Sequence, residues 1–272
     1  MTRAPAAAKI NLALVVGPAR NDGRHEVTTV LQAVDLTDRI TVSPGPGLRV
    51  TGFPEDTLVR GALAALAERA GVEPAWHVRI RKRIPVAAGL GGGSSDAALA
   101  LRLANATLDD PLDRDHLFEL AAELGSDVPF FLASGPQLGE GHGAELTPLE
   151  LPQDFWIVLI VPEGERKPST GAVYALFDAR DGPRGYAERR EALLEALENV
   201  REARDLAALP HNDLASSPLA AELLASGAFR ADVTGAGPAV YGLFHDRADA
   251  ARARRTLRRH GRIWLVVPAW YV

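Results

Sequence analysis

The stretch GLGGGSSDAA, residues 89–98, restricts the fold more than any other part of the chain, because four of its first five residues are glycine. Glycine loses more conformational freedom on folding than any other residue, so a folded chain keeps such a run only where bare backbone is needed. A flexible linker can share this composition, but strong helix formers follow directly here. We therefore predict a loop at the mouth of a helix that opens at Ser94 and Ser95, where outward N–H groups and the positive end of the helix dipole suit a phosphate.

A tight strand-to-helix turn with a serine cap is the simpler interpretation of the same residues. Four glycines and two serines exceed what such a turn needs, which favours phosphate binding.

Two standard phosphate-binding motifs do not match. The P-loop requires a lysine directly before its serine or threonine, and no lysine precedes Ser94. The dinucleotide fingerprint fits at Gly89 and Gly91 but has Ser94 in place of its third glycine.

Composition excludes several classes of protein. The 272 residues carry a net charge of -5, so an anionic ligand must be held by local cations and oriented amides rather than by the field of the whole molecule. The chain has no cysteine, which excludes disulfides, thiolate catalysis and zinc–thiolate sites. The apolar run 10–16 is too short for a signal peptide or a membrane span. We expect a cytoplasmic protein that binds neither membranes nor nucleic acid, with the arginine-rich segment 252–261 as a solvated amphipathic helix.

Strands and helices follow one another without a regular βαβ repeat, which favours the α+β class. The first strand is predicted at residues 8–14, where alternate apolar side chains give it one buried face. A proline-rich segment, 147–154, marks the expected boundary between a domain of residues 1–150 and a domain of residues 151–272. Helices are expected from a Thr57 cap to Gly71 and over 97–104, 113–125, 186–207, 218–226 and 247–260, and further strands over 38–42, 48–50, 76–80, 155–162, 240–244 and 263–267.

Five segments resemble the GHMP small-molecule kinases, in the order that the superfamily has them. The segment KRIPVAAGLGGGSSDAA, 82–98, is similar to the phosphate loop of that superfamily, and VTGAGPAVYGLF, 233–244, is similar to its third, glycine-rich motif. The segments AAKINLALVV, NDGRHEVTTVLQAVDLTDRI and LGSDVPFFL, at 7–16, 21–40 and 124–132, resemble the branch that phosphorylates a cytidine diphosphate-linked methylerythritol. The resemblance implies a two-domain GHMP kinase fold of the α+β class, with a left-handed βαβ unit in the N-terminal domain, a ferredoxin-like C-terminal domain and the active site between them.

The resemblance also implies roles for individual residues. Asp127 matches the catalytic base, and Lys9 matches the lysine that binds the acceptor hydroxyl and keeps that base ionised. From the local sequence alone, a helix cap fits Asp127 equally well, and a residue on a solvated strand face is the safer interpretation of Lys9. Arg24 stands where a tyrosine would stack on cytosine, and we expect its guanidinium to lie on the base opposite Tyr174. Thr57 stands where an asparagine is usual near the adenosine. The residues expected to bind ATP are Thr57, Lys82, Pro85, Val86, Ala87, Ala88, Gly89, Leu90, Gly91, Gly92, Gly93, Ser94 and Ser95, and those expected to bind the acceptor are Asn11, Arg24, His25, Thr170, Tyr174, Gly235 and Gly237.

The implied reaction is phosphorylation of the 2-hydroxyl of 4-diphosphocytidyl-2-C-methylerythritol by ATP and Mg²⁺, in the non-mevalonate route to isoprenoid precursors. A kinase for homoserine or mevalonate is one alternative; His25 and Tyr174 favour the cytidine substrate and Arg24 weakens that case. A non-catalytic nucleotide-binding homologue is another, and the presence of both Lys9 and Asp127 argues against it. The seven histidines are scattered, so the Mg²⁺ ligands are expected to be the phosphates and a loop serine. The motifs fit a monomer or a homodimer.

Overall fold

A computed structural model describes residues 1–164 and 169–269. The strands are β1 Thr2–Ala19, β2 His25–Pro44, β3 Arg49–Thr51, β4 Trp76–Arg81, β5 Gln137–Glu140, β6 Glu145–Pro148, β7 Trp156–Pro162, β8 Arg230–Val233, β9 Val240–Phe244 and β10 Gly261–Val266. The helices are α1 Leu58–Ala70, α2 Gly92–Asn105, α3 Arg114–Leu124, α4 Thr170–Ala179, α5 Tyr186–Glu198, α6 Pro218–Ala225 and α7 Arg247–Leu257, with 3₁₀ turns at Pro129–Leu132, Ala203–Ala208 and Arg258–His260. The expected mixture of α and β structure is confirmed.

The first six strands form one sheet and the last four form another. In the first sheet the order is β3-β4-β2-β5-β6, with β1 paired to the other edge of the long strand β2. All its pairings are antiparallel except that of β3 with β4, which are parallel and joined through α1. The second sheet is antiparallel throughout, in the order β10-β7-β9-β8.

A shared apolar core joins the two sheets. It contains side chains of β1 and β2 from the first sheet, side chains of β7 and β9 from the second, and Leu193 of α5. Strand β1 is therefore buried on both faces over residues 6–17, and the expectation of one buried face is wrong. The reason is tertiary: α2 packs against β1 and so does α5, so neither face of the strand meets solvent.

Several helix ends differ from their sequence-based positions. Helix α2 begins at Gly92 rather than at the serines, because Gly91 takes the left-handed conformation that starts the helix. Helix α1 is capped by the Asp56 carboxylate, which accepts from the N–H groups of Val59 and Arg60, while Thr57 makes no side-chain capping bond.

The helix expected over 186–207 ends at Glu198. Beyond it, a reciprocal capping box between Glu202 and Asp205 starts a separate 3₁₀ turn at Ala203. The helix expected over 247–260 also ends early, at Leu257, and continues as a 3₁₀ turn to His260. The short strands β5, β6 and β8 are not predicted from the sequence, because four-residue strands carry almost no periodic signal. Helix α4 is a further element that the sequence analysis does not include.

Candidate active site

A cavity of about 610 Å³ lies where the two sheets meet, and it collects residues from distant parts of the sequence. Its volume is within the range of small-molecule sites. Eleven of the expected site residues line it: Lys9, Asn11, Arg24, His25, Gly89, Gly91, Ser94, Asp127, Thr170, Tyr174 and Gly235. The remainder, which do not line it, are Thr57, Lys82, Pro85, Val86, Ala87, Ala88, Leu90, Gly92, Gly93, Ser95 and Gly237.

A lysine–carboxylate pair lies at the centre of this cavity. The Lys9 Nζ is 3.3 Å from Asp127 Oδ2 and donates to Asn11 Oδ1 at 2.8 Å. Lys9 is 4% exposed whereas the Asp127 side chain is 37% exposed, so the ammonium is fixed and the carboxylate faces the open space. Such a carboxylate can accept a proton from a bound hydroxyl while the neighbouring ammonium offsets negative charge.

Asn11 ties this pair to the second sheet. Its Oδ1 also accepts from the Gly235 N–H at 2.9 Å, and its backbone N–H donates to Thr234 Oγ1 at 3.0 Å. On the other side, Asn11 Nδ2 donates to Thr29 Oγ1 on β2 at 2.8 Å. The position of the Lys9 ammonium therefore depends on contacts from both sheets.

The glycine loop packs its backbone against the turn that follows β8. Gly89 and Gly91 both have positive φ, of 83° and 67°. A Cβ on Gly89 would lie 2.3 Å from the carbonyl oxygen of Thr234, so only glycine fits there. The first bond of the α2 ladder joins Ser95 N–H to the Gly91 carbonyl. The N–H groups of residues 92–94 precede that ladder and have no acceptor within the helix, which makes them available to an anion.

Two buried carboxylates that the sequence did not single out hold Lys82 beside this loop. Its Nζ is bound to Asp38 and, at 2.8 Å, to Asp96. It also lies 3.3 Å from the position of a Cβ on Gly92, at the first turn of α2. Burial, together with the neighbouring Asp38, raises the pKa of the Asp96 carboxyl to about 7. Burial opposes the charge of Lys82, but Asp96 and Asp38 outweigh it and the pKa of Lys82 is raised.

The signal that could have identified Asp96 is its place in the helical pattern. It falls between Ser95 and Ala97 on a helix whose neighbouring positions are small and apolar, and it is 1% exposed. A carboxylate on the buried face of a helix requires a partner. No local pattern identifies that partner, because Lys82 lies 14 residues from Asp96 and 44 residues from Asp38 along the chain.

Two of the residues that line the cavity, His25 and Tyr174, form a pair of rings. The His25 and Tyr174 rings are 4.7 Å apart between centroids and tilted by 38°. The His25 Nε2 is 2.9 Å from Asp178 Oδ1, which fixes the orientation of the imidazole. Burial and, secondarily, the charge of Asp127 raise the pKa of Tyr174 to about 12, so its hydroxyl stays protonated at neutral pH.

Arg24 lies against His142, which the sequence did not single out. The Arg24 Nη1 is 3.0 Å from His142 Nδ1, and the Ser126 hydroxyl is 3.0 Å from the same nitrogen. All three residues line the cavity together with Tyr174. The position of His142 between two glycines is a signal that could have marked a side chain at an open turn.

The described residues contain neither a metal-binding cluster of acidic and histidine side chains nor a helix that could span a membrane. Within 1–164 and 169–269, no group of three or more histidine, aspartate or glutamate side chains is arranged to hold a metal ion. No helix in these same ranges is long and apolar enough to cross a membrane.

Comparison with known proteins assigns the chain to a family. The family models for the GHMP kinases N terminal domain and the GHMP kinases C terminal match residues 57–135 and 190–263. A protein of Anaeromyxobacter sp. (strain Fw109-5), named 4-diphosphocytidyl-2-C-methyl-D-erythritol kinase, is 41% identical over 263 residues, which cover 93% of this chain and 85% of that protein. A Symbiobacterium thermophilum protein of the same name is 38% identical, over 95% of this chain and 96% of its own length.

Solved structures agree with this assignment. The crystal structure of a 4-(cytidine 5'-diphospho)-2C-methyl-D-erythritol kinase matches with a TM-score of 0.80 and 34% identity, covering 98% of this chain and 99% of that one. A mevalonate kinase matches with a TM-score of 0.78 at only 14% identity over 98% of this chain and 99% of its own, so it shows the shared fold alone. The chain therefore belongs to the 4-diphosphocytidyl-2-C-methyl-D-erythritol kinases, in the GHMP kinase superfamily.

Proposed function

We propose that the protein transfers the terminal phosphoryl group of ATP to the 2-hydroxyl of 4-diphosphocytidyl-2-C-methyl-D-erythritol, in isoprenoid precursor synthesis. One observation carries this proposal. The Lys9–Asp127 pair, 3.3 Å apart, lines a cavity that residues of the glycine loop and the His25 and Tyr174 rings also line. In one cavity, this arrangement supplies a place for the phosphates, a place for the cytosine ring and a carboxylate that accepts the proton.

In the proposed mechanism Asp127 accepts the proton of the 2-hydroxyl as that oxygen attacks the terminal phosphorus. Phosphoryl transfer needs little covalent help from a protein, so positioning and electrostatic stabilisation supply most of the rate. Lys9 donates to the attacking oxygen and offsets the charge that develops on the transferring group. Its burial supports this role, because a buried ammonium acts through a low local dielectric and is not screened by solvent.

The nucleotide phosphates are proposed to bind the N–H groups at the start of α2 and the hydroxyl of Ser94. The Ser95 Oγ is buried there and has no hydrogen-bond partner among the described residues, which fits a hydroxyl that ligates Mg²⁺ together with phosphate oxygens. When bound, Mg²⁺ would neutralise charge on those oxygens. Lys82 is proposed to bind the nucleotide from beside Gly92. Thr57 and the rest of the expected loop set, residues 85–93, complete the proposed ATP site.

The cytosine is proposed to lie between Arg24 and Tyr174, with His25 hydrogen-bonded to its edge. Support comes from the lining of the cavity, in which all three side chains take part. Arg24 has His142 as its partner in this structure, and we propose that the guanidinium keeps that bond at its edge while its plane stacks on the base. The other proposed acceptor contacts are Asn11, Thr170, Gly235 and Gly237.

The finer features of the fold belong to the same proposal. We place the domain boundary between residues 150 and 151, supported by the start of the second sheet at Trp156. The order β10-β7-β9-β8, with helices between β7 and β8 and between β9 and β10, supports a ferredoxin-like second domain. The parallel pair β3 and β4 with α1 between them is the proposed left-handed βαβ unit. We propose a cytoplasmic monomer or homodimer whose partners are these small molecules and neither nucleic acid nor membrane.

ADP release, measured with three acceptors, tests the proposed function. The cytidine diphosphate substrate should be turned over, and homoserine and mevalonate should not. Asp127→Asn should lower kcat by about 10²- to 10⁴-fold, the usual contribution of a general base, without lowering thermal stability. A wild-type preference for another acceptor would overturn the substrate assignment, and an Asp127→Asn variant with normal kcat would overturn the assignment of the base.

A further inference from the structure

The first sheet carries a cluster of arginines on the face that is turned away from its helices. Alternate residues of β2 and β4, including Ile40, Val78 and Ile80, are buried in the core with α1 and α2. The side chains between them point to the other face, as strand geometry requires. On that face five arginines are exposed on or beside three adjacent strands: Arg3, Arg39, Arg79, Arg81 and Arg83.

These arginines are not neutralised. Arg39 lies directly opposite Arg81 across the β2–β4 pair, and Thr41 separates Arg3 from Arg79 in the next row. Like charges directly opposite each other in a sheet are destabilising. Within residues 1–164 and 169–269, none of these five guanidinium groups takes part in an ion pair. A chain with a net charge of -5 has acidic residues in excess, yet no carboxylate of the described residues lies within 4.0 Å of these guanidinium nitrogens.

The cluster lines a groove rather than a flat surface. The arginine groove has a volume of about 570 Å³ and is lined by Met1, Arg3, Arg39, Thr41, Gly52, Arg79, Ile80, Arg81 and Lys82. A smaller cleft of about 240 Å³, lined by Thr37, Arg39, Arg81 and Arg83, shares two of these arginines. Among the described residues, no carboxylate lines either space. The groove shares no residue with the cavity that holds Lys9 and Asp127, and of the residues proposed to bind ATP it contains Lys82 alone.

We propose that the arginine groove binds a compact anion that carries two or more phosphate groups. The planar guanidinium fork matches phosphate oxygens in a bidentate manner, and several forks converge here. The groove has the volume of a small-molecule site, and its cations are confined to three strands, which span about 10 Å at the usual strand spacing. Single-stranded nucleic acid is less well matched, because its sites add aromatic platforms for the bases, and no aromatic side chain of the part of the chain that the structure describes lines this groove.

The proposal is tested by calorimetric titration of inorganic tripolyphosphate, with and without saturating ADP to occupy the nucleotide site. The wild-type protein should show one saturable site that persists when ADP is present. Arg39→Ser/Arg81→Ser should weaken it at least tenfold. The matched control, Arg254→Ser/Arg258→Ser, removes the same charge from exposed arginines at the end of α7 and should change it by less than twofold.

A second pair, Arg3→Ser/Arg79→Ser, tests the next row of groove arginines independently and should also weaken binding at least tenfold. Both groove variants should keep the wild-type melting temperature or exceed it, because they relieve repulsion between like charges. Absence of an ADP-resistant site in the wild-type protein would overturn the proposal, and so would equal losses in the groove and control variants. A single-stranded RNA that binds these same arginines more tightly than tripolyphosphate would replace the compact anion with nucleic acid. None of these results depends on turnover, so failure here leaves the proposed kinase activity untouched.

Discussion

Replacing Gly93 with alanine separates two reasons why the loop could be rich in glycine. Gly93 is exposed in the first turn of α2 and does not have a positive φ. The nearest atom to a Cβ at this position is Leu58 Cδ2, at 3.9 Å, so the protein itself accepts a methyl group here. Alanine at a compatible helical position reduces the conformational freedom of the unfolded chain and stabilises a protein by about 0.4–1 kcal/mol. That gain corresponds to a rise in Tm of about 1–4 °C for a chain of this size.

Binding of ATP should respond in the opposite direction. A phosphate that accepts from the N–H groups of residues 92–94 occupies the space that the methyl group would fill. Loss of one hydrogen bond to a charged group costs about 1.5–3 kcal/mol, so the KM for ATP should rise by about 10- to 100-fold. The assay pairs thermal unfolding with steady-state kinetics at varied ATP.

Gly61→Ala is the matched control. Gly61 is an exposed helical glycine in α1, and beyond the local helix backbone no atom of the described residues lies within 4 Å of its Cβ position. Its substitution should raise Tm by a similar amount and leave the KM for ATP unchanged. If Gly93→Ala is more stable and binds ATP normally, the phosphates do not pass over this residue and the reasoning about the loop is wrong. If it is less stable, the start of α2 is not as described.

Three further changes test other parts of the structure. Gly89→Ala should lower the free energy of unfolding by about 2–4 kcal/mol, through a positive φ and overlap with the Thr234 carbonyl, and urea unfolding that matches wild type would contradict this. Because the pKa of Asp96 is raised to about 7 in the folded protein, the carboxyl keeps its proton up to that pH, whereas the unfolded chain loses it near the ordinary value of 3.8. The free energy of unfolding of the wild-type protein should therefore fall as pH rises from 3.8 to about 7, by at most about 1.4 kcal/mol per pH unit. Asp96→Asn should lack this pH dependence, and parallel profiles of the two proteins would refute the raised pKa of Asp96. His142→Ala should raise the KM for the cytidine substrate about three- to tenfold with kcat unchanged, because Arg24 loses its partner, and a fall in kcat alone would refute that role.

Local chemistry explains which elements were predictable from the sequence. Helix α3 begins where the Asp113 carboxylate accepts from His116 N–H, and α1 ends at Gly71 with a φ of 65°. Strand β4 buries Trp76, Val78 and Ile80 in alternation, as its pattern indicates. In each case the deciding interaction lies within a few residues of sequence, where capping and periodicity operate.

The parts that were missed depend on contacts between distant segments. No feature of the sequence near Lys82 indicates that Asp38 of β2 and Asp96 of α2 hold its ammonium. The prediction that Lys82 binds the nucleotide therefore does not include these two ion pairs. The same holds for β1, whose burial on both faces follows only once α5 and the second sheet have packed. The residues lining the cavity were more predictable than their bonds, since motif order indicates which segments meet but not which atoms do.

The Lys9–Asp127 pair illustrates why such bonds are set by the whole fold. Lys9 is on β1 and Asp127 precedes a 3₁₀ turn more than 100 residues later, yet what fixes the lysine is Asn11, two residues away. The Asn11 side-chain oxygen accepts from the Lys9 ammonium at 2.8 Å and, from the second domain, from the Gly235 N–H at 2.9 Å and the Thr234 hydroxyl at 3.2 Å. Displacing the second sheet would remove both donors of the second domain, while the Asn11 Nδ2 would keep its bond to Thr29 Oγ1 on β2. The amide would then be held from one side instead of two, so the position of the ammonium beside the carboxylate depends on both sheets.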